Sequence, residues 1–227
     1  MDKQKEQNLH ILIGKVIIVL GYILGFGKGM RNTMAEKIAT KDKIVEAAWE
    51  LFYEKGYENT TVEDIIASAK ISKGSFYYYF DRKDALLDTL STKFDHEYEK
   101  LEKRMEPDLN SFDKLLFMNY EMHVFIETQI ELDLLASLYS TQLLTKGNSN
   151  LLDQNRVYYK LVSDIVEEGQ KREQITKEKS VREITKYYTL CERALITDWC
   201  LSKGSYSLAE YSKEYLPLML GAIKGTQ

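Results

Sequence analysis

The chain has 227 residues, 31 basic and 35 acidic side chains, a net charge of −4, two cysteines and only two prolines. That length suits one domain of about 200 residues, or a small module joined to a larger one, and so few turn-formers point to a mostly helical chain rather than a β fold. Collagen-like, low-complexity and disulfide-framework classes are excluded, and the negative charge excludes sequence-blind coating of nucleic acid, so any DNA contact must come from a local basic patch.

The first 33 residues differ from the rest. Ile11 to Phe26 is apolar apart from Lys15, which is short of the roughly 20 apolar residues a spanning helix needs. The segment before it is barely positive and Gly25-Phe26-Gly27 is a poor cleavage site, so a secretory signal is not indicated either. Gly27-Lys28 tempts a phosphate-loop reading, but Tyr22 stands where the first glycine of that motif belongs and Gly29 replaces its Ser/Thr. Residues 1–33 are therefore expected to be a leader, either a start-site extension upstream of Met30 or Met34 or a weak membrane anchor.

From Met34 a three-helix module is expected, over 34–84. Thr40 is positioned to cap a helix whose Ile44, Ala47, Ala48, Leu51 and Phe52 keep the spacing of one buried face. Lys55-Gly56 is a stop signal, with Gly56 suited to the left-handed position. Thr61, followed by Asp64, predicts a capped second helix with Val62, Ile65, Ile66 and Ala69 inward. Ser72 caps a third, in which Phe76 and Phe80 face the core and Lys73, Ser75, Tyr77, Tyr78 and Tyr79 point out. Asp81 is expected to cap a fourth. Two short helices across a tight turn form a helix-turn-helix, and small, aromatic and basic side chains on the third suit a major-groove reader. Gly74 leaves its first turn open to a phosphate. The segment from Met34 to Asp84 holds eight basic and ten acidic residues, yet the acids crowd the first helix while Lys70, Lys73, Arg82 and Lys83 bracket the third.

At these residues the chain closely resembles the TetR family of transcriptional regulators. The stretch from Glu54 to Leu87 contains Thr-Thr-Val, Ser-Lys-Gly-Ser-Phe-Tyr-Tyr-Tyr-Phe and Lys-Asp-Ala-Leu-Leu at that family's spacing. The resemblance implies an all-α homodimer with an N-terminal helix-turn-helix head and a C-terminal helical bundle for ligand binding and dimerisation. It also implies that Thr61, Ser72, Lys73, Gly74, Ser75, Tyr77, Tyr78, Tyr79 and Lys83 contact double-stranded operator DNA, Lys83 as a phosphate clamp.

The rest, 85–227, reads as a helical body. A fourth helix is expected from about Arg82 to Glu106, ended by Pro107, with Leu86, Leu90, Phe94, Tyr98, Leu101 and Met105 as its apolar stripe. Further helices are expected near 111–128, 131–146, 150–173, 179–203 and 207–223, the last kinked or broken at Pro217. The resemblance places a small-molecule effector among the aromatics here, with Phe94, Tyr98, Phe117, Tyr120, His123, Phe125, Tyr139, Tyr158 and Tyr159 as candidates. The alternative for each is ordinary core packing. It also places the dimer interface on the last two helices, at Tyr187, Tyr188, Cys191, Leu195, Trp199, Tyr211, Tyr215 and Leu218. Cys191 and Cys200 fall on opposite faces of one predicted helix, about 13 Å apart along its axis, which fits unpaired thiols in a reducing, cytoplasmic setting.

No enzyme is expected. The catalytic motifs H-E-x-x-H, C-x-x-C and G-x-S-x-G are absent, and the three histidines, at 10, 96 and 123, have no metal-ligand spacing. No cofactor, metal or membrane partner is expected. The sequence reads as a repressor that binds a palindromic operator and is released by a small molecule. Its alternatives are a helical interaction protein that has lost operator reading and a membrane-tethered regulator.

Overall fold

The computed structural model describes residues 28–144 and 150–225, with side chains from Lys37 onward. Among the described residues there are nine α-helices and no strand. We number them α1 (Lys28–Lys55), α2 (Val62–Ala69), α3 (Lys73–Tyr79), α4 (Asp88–Arg104), α5 (Ser111–Gln129), α6 (Leu132–Leu144), α7 (Val157–Lys171), α8 (Val181–Leu201) and α9 (Leu208–Met219). They divide into two compact units, the head within Met1–Lys55 plus Thr60–Asp81, and the body, Gly56–Asn59 plus Arg82–Gln227. Of the expected leader, residues 1–27 lie outside the described residues.

The head has one small core, made by Ile44, Ala48, Leu51 and Phe52 of α1, Ile65 of α2, and Phe76 and Phe80 at α3. Its local signals act largely as expected. Thr61 caps α2 by a reciprocal capping box with Asp64, and Ser72 Oγ accepts the Ser75 N–H at the start of α3. Gly56 ends α1 at φ +81°, a conformation open to glycine at little cost. One expectation fails. Thr40 caps nothing, because α1 runs through it from Lys28. No glycine or proline breaks the chain between Met30 and Thr40, so a cap-type residue inside a good helical run is simply carried within it.

In the body, α5 packs against α4, α7 and α9, and α8 against α6, α7 and α9. The expected fourth helix is split. A 3₁₀ turn at Lys83–Leu86 precedes α4, and Asp81 does not cap it. Asp84 instead accepts a short hydrogen bond from the Tyr57 hydroxyl. Leu86, Leu90, Phe94, Tyr98 and Leu101 are buried as the stripe required. Pro217 lies in the last turn of α9, two residues before its end, so of the two expected outcomes it breaks the helix rather than kinking it. The start of α9 is held by tertiary contact. The Glu127 carboxylate of α5 accepts the Leu208 N–H at 2.7 Å, the Ala209 N–H at 3.0 Å and the Ser207 hydroxyl at 3.2 Å.

Candidate functional site

The head presents one face of α3 to solvent. Phe76 and Phe80 fix the helix from beneath, and Lys73, Tyr77 and Tyr78 stand out from it, with Tyr78 64% exposed. Ser75 and Tyr79 are half-buried, and Ser72 and Gly74 are exposed. A Cβ on Gly74 would meet only Ser72 Oγ, at 3.9 Å, so packing within the chain does not demand this glycine. The face carries positive charge. Lys73 Nζ lies 3.2 Å from Glu63, an exposed pair of little energetic weight, and its hydrogen bond, with its charge, holds the Glu63 carboxyl below its ordinary value. Lys37 of α1 donates to the Tyr78 hydroxyl at 2.8 Å, placing another ammonium beside the same face.

Lys83 belongs to the body and has partners there. Its ammonium donates to the Tyr57 carbonyl at 2.8 Å and sits 4.1 Å from the centre of the Tyr57 ring. A residue expected as a phosphate clamp therefore also staples the turn before α4.

The body holds a small cavity of about 40 Å³, lined by Phe94, Tyr98, Tyr139 and Tyr158 of the expected set, together with Met122, Ile126, Leu151, Arg156, Glu192, Arg193 and Ile196. That is room for a few waters at about 10–15 Å³ each. Its chemistry centres on Glu192. This buried carboxyl accepts the Tyr98 hydroxyl at 3.1 Å and a short hydrogen bond from Tyr158, whose rings lie 4.8 Å apart. Burial pushes Glu192 up to about 7, against the opposing pull of the Tyr98 and Asn119 hydrogen bonds and of Arg193 and Arg156. Arg156 forks onto Asp95, with Nη2 at 2.9 Å and Nε at 3.2 Å, and also reaches the Ser91 carbonyl. Arg193 donates to the Tyr159 hydroxyl at 3.2 Å, which in turn donates to the Leu151 carbonyl.

The other expected effector residues lie elsewhere. His123 is fully buried between α5 and α9, with Nδ1 2.8 Å from Ser212 and Nε2 3.3 Å from Asn119. Ser212 donates its own proton to the Ala209 carbonyl, so Nδ1 carries the histidine hydrogen and Nε2 accepts from Asn119. Burial lowers His123 to about 3, which keeps it neutral. It is a satisfied core histidine, linked to Glu192 only through Asn119. Tyr120 bonds Glu210 at the surface, and Phe117 and Phe125 are half-buried outside the cavity lining. Glu192, Arg156 and Arg193 were not anticipated. A carboxylate four residues after the inward Tyr188 is a charge inside an apolar stripe, and that signal could have found it.

The expected interface residues divide by face. Tyr188, Cys191, Leu195 and Trp199 are core residues of the protomer itself, and the Tyr188 hydroxyl donates to the Leu115 carbonyl. Tyr187, Tyr211, Tyr215 and Leu218 are exposed, and so are the unanticipated Leu190 and Leu201. Both cysteines are free thiols. Among the described residues no His/Cys/Asp/Glu cluster could hold a metal, and no helix is long and apolar enough to cross a membrane.

Comparison with known proteins agrees with this arrangement. Residues 44–90 match the model of bacterial regulatory proteins of the tetR family, and residues 80–222 match that of the YsiA-like C-terminal region. No curated protein is significantly similar. Among solved structures, the fatty acid degradation regulator FadR of Bacillus halodurans is 23% identical, with a TM-score of 0.60 over 82% of this chain and 97% of its own. FadR of Bacillus subtilis, solved with stearoyl-CoA, is 23% identical with a TM-score of 0.61 over 80% and 98%. FadR of Thermus thermophilus, a repressor solved with lauroyl-CoA, is 22% identical with a TM-score of 0.57 over 82% and 96%. These likenesses show the fold, and the family models, which together span head and body, show more: this chain belongs to the TetR family of DNA-binding transcriptional regulators rather than to any class of enzyme.

Proposed function

We propose that the protein is a cytoplasmic, ligand-responsive repressor that binds a palindromic operator as a homodimer and releases it when a small molecule enters the body. The observation that carries this reading is the α3 face, where Lys73, Tyr77 and Tyr78 are exposed over a buried Phe76–Phe80 anchor. That is the arrangement a recognition helix needs, since its inner side must be fixed for its outer side to read base edges. In such a dimer the two α3 helices enter successive major grooves about 34 Å apart. Thr61, Ser72 and Gly74 then offer backbone and hydroxyl groups to phosphates, and Lys73, Ser75 and the tyrosines reach bases or backbone.

The homodimer is supported by the exposed apolar side chains of α8 and α9, Tyr187, Leu190, Leu201, Tyr211, Tyr215 and Leu218. A monomer leaves such a set uncovered only at a cost in solubility. The effector is supported by the cavity around Glu192, whose aromatic walls and convergent polar groups suit ligand recognition. Two fold neighbours were solved with fatty acyl-CoA, which makes that class the first to test. At about 40 Å³ the cavity is too small for an acyl chain, so such a ligand must select a more open state of the body.

Fluorescence anisotropy with DNA from upstream of the protein's own gene and with a scrambled duplex, at about 150 mM salt, tests the reading. We expect a preference of about 10³ for the upstream duplex, and weaker operator binding by Tyr78→Ala and Lys73→Ala variants that keep their helicity. Equal, weak binding to both duplexes refutes operator reading and leaves the helical interaction protein in its place.

A further inference from the structure

The body carries a second concavity, an open groove of about 710 Å³ on the α7–α8 face. Four cations line it, Lys160 from α7 and Arg182, Lys186 and Arg193 from α8, against a single carboxylate, Asp164. The three on α8 share one face by their spacing and extend over about 16 Å of helix. Among the described residues none of the four forms an ion pair; Arg193 hydrogen-bonds the Tyr159 hydroxyl at 3.2 Å and feels the Glu192 carboxyl only at longer range. Cations nearby in the chain are neutralised, Lys171 by Glu167, Arg172 by Glu168 and Lys177 by Glu173. In a chain where acids outnumber bases, this concentration of unpaired positive charge in one groove is not a shortage of carboxylates.

A second observation lies on the groove wall. Thr185, on the same face of α8, is 8% exposed, and its hydroxyl is buried without a hydrogen-bond partner. A buried hydroxyl left unsatisfied is costly, and native proteins seldom keep one without a ligand or water to use it. The groove's volume lies in the range of small-molecule sites, about 300–1,000 Å³. Arg193 lines both the groove and the Glu192 cavity, so a ligand held in the groove reaches the wall of the inner cavity through this one side chain.

We propose that the α7–α8 groove binds the phosphate groups of a small polyanionic ligand, with Arg182, Lys186 and Arg193 as its principal contacts. Guanidinium groups match phosphate oxygens in forked geometry, and several cations along one helix face suit more than one phosphate. The ligand's role as effector rests on the ligand-responsive reading above. Its binding does not, and can be measured without DNA.

Calorimetric titration of the full chain with inorganic pyrophosphate and with coenzyme A tests the assignment. We expect both to bind, and Arg182→Glu/Lys186→Glu to weaken each by about tenfold or more, the effect of losing one charge-assisted contact. Lys171→Glu/Lys177→Glu makes the same change in net charge outside the groove, and should alter the affinity by less than about twofold. Thr185→Val, nearly isosteric, should weaken binding while leaving the melting temperature of the free protein equal to or above that of wild type, since it removes an unsatisfied hydroxyl. No binding of either probe, or equal weakening by the two double variants, overturns the proposal. Displacement of bound pyrophosphate by a random-sequence duplex assigns the groove to nucleic acid and overturns it as well. Binding of both probes with no change in operator affinity on adding an acyl-CoA upholds the groove and removes the effector role.

Discussion

Replacing Glu192 by Gln isolates the strongest electrostatic feature of the body. In the native protein this carboxyl is 3% exposed and raised from 4.5 to about 7, chiefly by burial. Between those two pH values the folded state keeps a proton that the unfolded chain has lost, so stability falls as pH rises. The contribution is complete below about pH 4.5 and gone above about pH 7. At about 1.4 kcal/mol per pH unit over that interval, ionising Glu192 inside the fold costs about 3 kcal/mol. Gln keeps the shape and can still accept from one tyrosine while donating to the other, yet it never ionises. His123 works in the opposite direction, since its value is lowered from 6.5 to about 3 and its contribution is lost as pH falls through that range. The two slopes overlap, so the wild-type profile alone does not report either group. The difference between wild type and Glu192→Gln does. Urea denaturation at intervals from pH 4.5 to 8.5 should show the variant gaining on wild type by about 3 kcal/mol as pH rises, with the change complete near pH 8. A difference that stays flat, or that favours wild type at alkaline pH, refutes the account of Glu192 as a carboxyl raised by burial.

His123→Gln should remove the loss of stability between pH 6.5 and about 3 that neutral burial imposes on wild type, seen when the denaturation series is extended down to pH 3. Gly169→Ala should lower stability by about 1–3 kcal/mol, because a Cβ there falls 2.6 Å from Ile175 Cδ1 and 2.8 Å from Ser111 Cβ; a thermal melt unchanged within error counts against so close an approach. Lys73→Ala should make the salt dependence of operator binding shallower by about 0.9 in log–log slope, the loss of one phosphate contact. Leu190→Asp with Leu218→Asp should yield a folded monomer in sedimentation, whereas an unaltered dimer places the interface elsewhere.

The head was legible from the chain because its determinants are local. Caps at Thr61 and Ser72, the left-handed Gly56 and the 3-4 spacing of Ile44, Ala48, Leu51 and Phe52 act within one or two turns. The failure at Thr40 has the opposite cause, since a cap signal is only a preference and nothing before it stops the helix. In the body, hydrophobic spacing identified the helices and the buried stripe of α4. It could not say which inward aromatics border a void. Phe94, Tyr98, Tyr139 and Tyr158 do, while Phe117, Tyr120 and His123 do not, although all seven lie in apolar helical stretches. Nor could it separate the two apolar stripes of α8, one built into the protomer through Tyr188, Cys191, Leu195 and Trp199, the other left exposed at Tyr187, Leu190 and Leu201.

The sequence by itself therefore determined the helical class, the position and polarity of the helix-turn-helix, and the outward Lys73, Tyr77 and Tyr78 of α3, because each follows from periodicity and capping along a continuous segment. Only the tertiary structure decided that Glu192 of α8 meets Tyr98 of α4 and Tyr158 of α7, and that Glu127 caps α9 from α5. It also decided that Lys160, Arg182, Lys186 and Arg193 converge on one groove. Those groups are brought together by how separate helices pack, and the rotation of one helix against another is set by the sum of many side-chain contacts that no local pattern records.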